Sequence, residues 1–214
     1  MEITNELRPQ YRRALAGLYA RLGKRLIDVT LALIALLLLT PLLALIILLL
    51  LLFQEGNPFF LQQRVGHNCK PFNIIKFRTM TDARDANGKL LPDAERTTRI
   101  GAILRSTSLD ELPELINVVL GDMALIGPRP WIATQMAYFD SQVCQHRMSV
   151  RPGISGLAQV HGRNHISFRR RMWYDLLYTR AMSPGLDLSI LLRTFYKIVI
   201  CEGINPRKSS DKAA

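Results

Sequence analysis

Residues 29–53 read VTLALIALLLLTPLLALIILLLLLF. These 25 residues hold 14 leucines and no charged side chain, in a chain of 214 residues with 28 Lys+Arg against 17 Asp+Glu. As a straight helix the run is about 37 Å long at ~1.5 Å per residue, enough to cross a hydrocarbon core of roughly 30 Å. Each leucine near the centre of such a segment favours insertion by about 0.3–0.6 kcal/mol. A net charge of +11 and a pI near 10.1 around this run argue against an ordinary soluble enzyme and against a disordered basic tail. A cleaved signal peptide is rejected on the length of the run and on Gln54-Glu55-Gly56-Asn57, which offers no small-x-small site.

Whether the run crosses the membrane turns on Thr40-Pro41, near its middle. Proline removes a backbone donor and clashes with the preceding turn, leaving two arms of roughly 17 Å each. Basic residues lie on both flanks: Arg8, Arg12, Arg13, Arg21, Lys24 and Arg25 before the run, Arg64, Lys70, Lys76 and Arg78 after it. A single span places its basic flank on the cytoplasmic side only, so this distribution fits a helix that enters, bends and returns to the same face. A kinked ordinary span is the competing reading, because proline is tolerated in membrane helices. Residues 1–28, with Leu15, Leu18, Tyr19, Leu22 and Leu26 at helical spacing among basic residues, read as an amphipathic interfacial helix.

Beyond Gly56-Asn57-Pro58, the stretches Phe59–Val65 and Phe72–Thr79 alternate partially and predict a β-hairpin around Gly66–Pro71. Residues 81–98 are polar and predict a surface loop, followed by short helices over Ile100–Leu104 and Leu112–Leu120 and a longer one around Ile132–Met148. The glycine-rich, basic stretch 151–165 predicts a loop or short strand. Phe168–Arg180 and Leu186–Ile200 predict amphipathic helices, the first rich in arginine and aromatic residues that suit a headgroup interface. The predicted fold is α+β and helix-rich: an interfacial helix over 1–28, a membrane element over 29–53, a catalytic domain over 54–200 and a flexible tail over 201–214. Three scattered cysteines, Cys69, Cys144 and Cys201, make neither a disulfide framework nor a zinc site and point to a reducing compartment.

The densest polar cluster is Arg105-Ser106-Thr107-Ser108-Leu109-Asp110-Glu111-Leu112-Pro113-Glu114. Ser108-Leu109-Asp110-Glu111 has the pattern of a capping box, which would account for both carboxylates structurally. Pro113 resists that reading, since it would fall where a helical N–H is needed. The functional reading is a carboxylate nucleophile beside a second carboxylate, with Mg²⁺ drawing an anionic phosphate toward it. Arg105, Arg129, Arg151 and Arg163 are the candidate phosphate-binding forks, and Lys76 a point charge.

Four motifs in order carry a resemblance: Asn73-Ile74-Ile75-Lys76-Phe77-Arg78-Thr79-Met80; Thr107-Ser108-Leu109-Asp110-Glu111-Leu112-Pro113; Gly121-Asp122-Met123 through Ile126-Gly127-Pro128-Arg129-Pro130; and Arg151-Pro152-Gly153-Ile154 with Gly156 and Gly162-Arg163-Asn164. From about Lys24 to Tyr196 the chain resembles the bacterial sugar transferase family, monotopic polyprenyl-phosphate phosphoglycosyl transferases. The resemblance implies a re-entrant helix broken at Thr40-Pro41 on the cytoplasmic face of the bacterial inner membrane. It implies Asp110 as the nucleophile that attacks the sugar-bearing phosphate of a UDP-sugar and expels UMP, with polyprenyl (undecaprenyl) phosphate then capturing the phosphosugar. The resemblance further implies that Asp110 and Glu111 form the dyad and the Mg²⁺ site, and that Lys76, Arg105, Arg129, Arg151, Gln159 and Arg163 bind substrate. The pathway implied is surface glycan assembly. The resemblance is expected to be to the minimal form, without the multi-span membrane domain of larger members.

Ser106, Glu114, Leu157 and His161 stand where the family usually carries lysine, glutamine, tryptophan and asparagine, and none of them alters the dyad. A non-catalytic basic module binding anionic membrane lipids explains the charge and the leucines, but not carboxylates clustered among phosphate-binding cations. Nucleic acid is not an expected partner, the leucine run favouring lipid, and a homodimer is left open. Metal binding by His161 and His165, or by His67 and Cys69, is not expected for want of a ligand set.

Overall fold

The computed structural model describes residues 17, 19, 23–54, 56–162 and 166–199, with the backbone alone for 198 and 199. Most of the interfacial helix expected over 1–28, the tail 201–214, and Arg163 lie outside the described residues. The leucine run lies within one 30-residue helix, α1 (Lys24–Phe53), which starts before the uncharged stretch. Where the sequence predicted two helices broken at Thr40-Pro41, the helix runs through Pro41 without interruption. The devices that bend a helix are nonetheless in place. Pro41 has no N–H for the preceding turn, and the Thr40 hydroxyl donates back to Leu36 O at 2.8 Å.

One stripe of α1 faces protein along its whole length. Ala32, in the first half, packs with Ile74, Leu115, Val118 and Met123; Ile46 and Leu50, in the second half, pack with Phe77 and Leu104. The rest of its circumference exposes Leu26, Leu33, Leu37, Leu38, Leu45, Leu48, Leu51, Leu52 and Phe53. By length and composition α1 is sufficient to cross a membrane. Its first turn is anchored by a buried polar knot. Lys24 Nζ reaches Asp187 Oδ2 at 2.6 Å, and the Tyr19 and Tyr178 hydroxyls donate to Asp187 at 2.6 and 2.8 Å. Arg25 donates to Val118 O and Val119 O at 2.5 and 3.0 Å.

The hairpin forms as predicted, with β1 (Phe59–Val65) antiparallel to β2 (Pro71–Phe77) and Phe60 opposite Lys76. The polar segment after it is mostly loop, with one helical turn, α2 (Asp93–Arg96), leading into α3 (Arg99–Thr107). Ser108 then adopts left-handed backbone (φ 58°), and a 3₁₀ turn, Leu109–Glu111, leads to Pro113 and helix α4 (Glu114–Leu120). The capping-box reading is corrected here. The Ser108 side chain makes no cap bond, and the second helix begins after Pro113, so both carboxylates lie in the turn between helices.

A second, parallel pair joins β3 (Ala124–Ile126) to β4 (Gly153–Ser155), which no alternation in the sequence indicated at residues 124–126. Gly127 and Gly153 meet backbone to backbone, and a Cβ on Gly153 would fall on the Gly127 nitrogen. The single helix expected around Ile132–Met148 is two short ones, α5 (Ala133–Met136) and α6 (Ser141–Arg147), with α6 N-capped by Asp140. After α7 (Leu157–Val160) the chain closes with α8 (Phe168–Ala181) and α9 (Pro184–Val199). Tyr178 and Ile190 from these last helices complete a core with Ile126, Leu157 and Val160. Outward, they expose Phe168, Trp173, Leu188, Leu192, Phe195 and Tyr196.

Candidate active site

The alternation of the hairpin puts Arg64, Ile74 and Lys76 on one face. Asn117 of α4 fixes that face against the helix: its Oδ1 accepts from Ile75 N at 3.0 Å and its Nδ2 donates to Asn73 O at 2.8 Å. Lys76 thereby meets one carboxylate of the 3₁₀ turn and one at the start of α4. Its Nζ lies 2.6 Å from Glu111 Oε1 and 3.1 Å from Glu114 Oε1. Arg129 approaches Glu111 from the opposite loop, with Nη2 on Oε1 and Nη1 at 3.4 Å from Oε2. Glu111 is thus gripped by two cations, one of them bidentate.

The two members of the dyad are in opposite electrostatic states. Burial alone would raise the Glu111 carboxyl, but Arg129 and Lys76 outweigh it and hold the group well below the ordinary carboxylate range. Asp110 makes no hydrogen bond or ion pair among the described residues. Burial first, and the Glu111 charge second, push it up to about 6 against the pull of Lys76, Arg105 and Arg129. Glu114, almost fully buried, is pushed up to about 7 by burial and by Glu111. A small cavity of about 20 Å³ is lined by Arg64, Lys76, Glu114 and Arg129. Arg129 keeps 42% of its side-chain surface exposed, so it can meet a ligand while holding Glu111.

Of the residues singled out in the sequence, Lys76, Asp110, Glu111 and Arg129 come together, and Arg105 lies close enough to act on the Asp110 charge. Arg105 is exposed, and its Nη2 sits 3.4 Å from Met80 Sδ. Arg151 is engaged elsewhere. Its Nε donates to Gly121 O at 2.9 Å, at the far end of α4 from the dyad. Gln159, on α7, donates to Ile154 O of β4 at 2.7 Å. Arg64, noted only as a basic flank, joins the site through the hairpin register, and Glu114 joins it through Lys76.

Among the described residues no group of three or more His, Cys, Asp or Glu side chains is arranged to hold a metal by itself. Mg²⁺ rarely needs such a cage, since one or two carboxylates and substrate phosphates suffice. The open Asp110 carboxylate fits that role, whereas the oxygens of Glu111 are taken by Arg129 and Lys76.

Comparison with known proteins assigns the class. The bacterial sugar transferase model matches residues 19–201. The chain is 44% identical over 183 residues to the uncharacterized sugar transferase EpsL of Bacillus subtilis, covering 85% of this chain and 89% of that protein. It is 36% identical over 200 residues to the exopolysaccharide production protein ExoY of Rhizobium meliloti, covering 85% and 88%. It is 39% identical over 187 residues to the UDP-glucose:undecaprenyl-phosphate glucose-1-phosphate transferase of Caulobacter vibrioides, covering 81% and 68%. The chain belongs to the bacterial sugar transferase family and is a phosphoglycosyl transferase.

Proposed function

We propose that the chain transfers a sugar 1-phosphate from a UDP-sugar to undecaprenyl phosphate through a covalent phosphosugar on Asp110, in the exopolysaccharide type of pathway. An Asp110 oxygen attacks the sugar-bearing phosphorus; the P–O–P bond breaks and UMP leaves with the electron pair. A phosphate oxygen of the lipid then attacks the same phosphorus. The Asp110–phosphorus bond breaks, the carboxylate is regenerated and a diphosphate-linked sugar results. The observation that carries this reading is the contrast within the dyad: Asp110 is an unpaired, partly desolvated carboxylate, while Glu111 is fixed between Arg129 and Lys76. A weakly solvated carboxylate is the better nucleophile, and cations anchored by Glu111 are preorganised for the substrate phosphates. Asp110 would hold Mg²⁺, which would supply charge neutralisation for the incoming diphosphate.

The same reading makes α1 a re-entrant element at the cytoplasmic face of the inner membrane. It is supported by the packing of both halves of α1 on one folded body and by the bend devices at Thr40 and Pro41. The exposed apolar residues of α1, α8 and α9 would sit in lipid, bringing a soluble nucleotide-sugar and a lipid phosphate to one boundary. The test is Asp110→Asn, assayed for UMP release with a panel of UDP-sugars and undecaprenyl phosphate. The variant is expected to fold and bind membrane yet release no UMP above background; retained turnover would refute the proposal.

A further inference from the structure

Four consecutive carbonyls, from Pro128 to Trp131, are held by four different donors. Gly153 N–H donates to Pro128 O at 2.9 Å and Val65 N–H to Trp131 O at 2.9 Å. Arg64 Nη1 reaches Pro130 O at 3.4 Å, and Arg147 Nη2 reaches Arg129 O at 2.6 Å. Pro128 and Pro130 have no N–H, so this loop is fixed chiefly through its carbonyls. The grip on Arg129 is the unusual one, because its donor is a charged side chain with 0% exposure.

Arg147, on α6, lies over the Trp131 ring at 4.1 Å, and its Nε and Nη2 each stand 2.8 Å from Asp175 Oδ2 on α8. It therefore holds the Arg129 main chain on one side of Pro130 and the Trp131 ring on the other. A buried ion pair of this kind adds little net stability, since desolvation offsets the attraction and well-packed apolar residues of like volume do as well. An apolar pair could fill the space, but it could not donate to the Arg129 carbonyl.

We propose that Arg147, held by Asp175, is a positioning residue for the transfer reaction: it fixes the Arg129 main chain and so the guanidinium that grips Glu111 and faces the substrate. The inference rests on the proposed function in taking Arg129 to meet substrate phosphate. Displacing a substrate-binding group by about 1 Å is enough to lose roughly 100-fold in rate.

The test is a mutant cycle on the full chain in lipid nanodiscs, reading UMP release and KM for the UDP-sugar. The paired change Arg147→Met with Asp175→Leu removes both charges together and is expected to stay folded, its melting temperature lowered only by the lost donor to the Arg129 carbonyl, while kcat/KM falls roughly 10- to 100-fold. In an Arg129→Ala background the same paired change is expected to alter kcat/KM by no more than about twofold, because the group being positioned is gone. Equal losses in the two backgrounds, or wild-type activity in the paired variant, would overturn the positioning role. Should the paired variant fail to fold, Arg147→Lys keeps the charge but lacks the fork needed to hold Asp175 and the carbonyl together. It is expected to lose activity with the fold intact, and unchanged activity would overturn the claim. Wild-type protein that releases no UMP would overturn the proposed function and this claim together, whereas wild-type turnover with an additive cycle overturns this claim alone.

Discussion

Glu111 accepts Lys76 Nζ at 2.6 Å, and the neighbouring Asp110 is left with no such partner. Arg129 reinforces the difference by gripping the same glutamate. Two adjacent carboxylates thereby stand in different surroundings, one anchoring Lys76 and Arg129 and the other, the proposed nucleophile, left open. Environment, not residue type, divides them.

Glu111→Gln tests the anchoring role. The amide keeps the shape but loses the charge that holds Arg129 and Lys76, so both cations become free to shift toward Asp110. Activity is expected to fall on the order of 100-fold in kcat/KM with the protein still folded, measured as UMP release against UDP-sugar concentration. Activity within twofold of wild type would contradict the anchoring role.

The pH dependence follows from Asp110. Its carboxyl is raised to about 6 by burial and by Glu111, and only the ionised form can attack phosphorus. At limiting Mg²⁺, where the free carboxyl titrates, kcat/KM is expected to rise through about pH 6 and level off above it, falling about tenfold per unit on the acid side. A rate profile flat between pH 5 and 7 would contradict the assignment.

Glu114 makes a prediction about stability. Its folded pKa is about 7 against an ordinary 4.5, so the folded state holds its proton more tightly than the unfolded chain. The associated stability is complete below about pH 4.5 and is lost as pH rises through about 7. Glu114→Gln is expected to melt higher than wild type at pH 8 and near wild type at pH 5. Thermal melts at the two pH values decide this, and a variant less stable at pH 8 would refute it.

Re-entry of α1 predicts that residues on either side of it share one compartment. Gly17 and Cys69 are both exposed. A membrane-impermeant maleimide is expected to label Gly17→Cys and native Cys69 in inside-out vesicles and neither in intact spheroplasts. Labelling from opposite sides would establish a span.

Much of this was legible in the sequence for physical reasons. Partial alternation revealed the hairpin and the polar crowding around Ser108 drew attention to both carboxylates, while the family resemblance supplied the roles expected of Lys76, Asp110 and Glu111. Other features depend on distant partners and leave no local pattern. β3 is three residues long, and its parallel partner, beginning at Gly153, comes much later in the chain. Ser108 reads as a helix start, but its left-handed backbone ends α3 and starts the turn that presents Asp110. Pro41 argued for two helices, yet packing along one face carries α1 through it. Arg147 and Asp175 sit in unremarkable surroundings, and only the fold reveals them as one buried pair beneath Arg129.

The central claim is that Asp110 takes up the phosphosugar covalently. Intact-protein mass spectrometry after incubation with UDP-sugar and Mg²⁺, without lipid acceptor, tests it most directly. The account predicts a mass gain of one sugar phosphate, mapped by peptide analysis to Asp110, absent in Asp110→Asn and discharged by added undecaprenyl phosphate. Rapid turnover with acceptor but no adduct under these conditions, or an adduct that persists in Asp110→Asn, would contradict it.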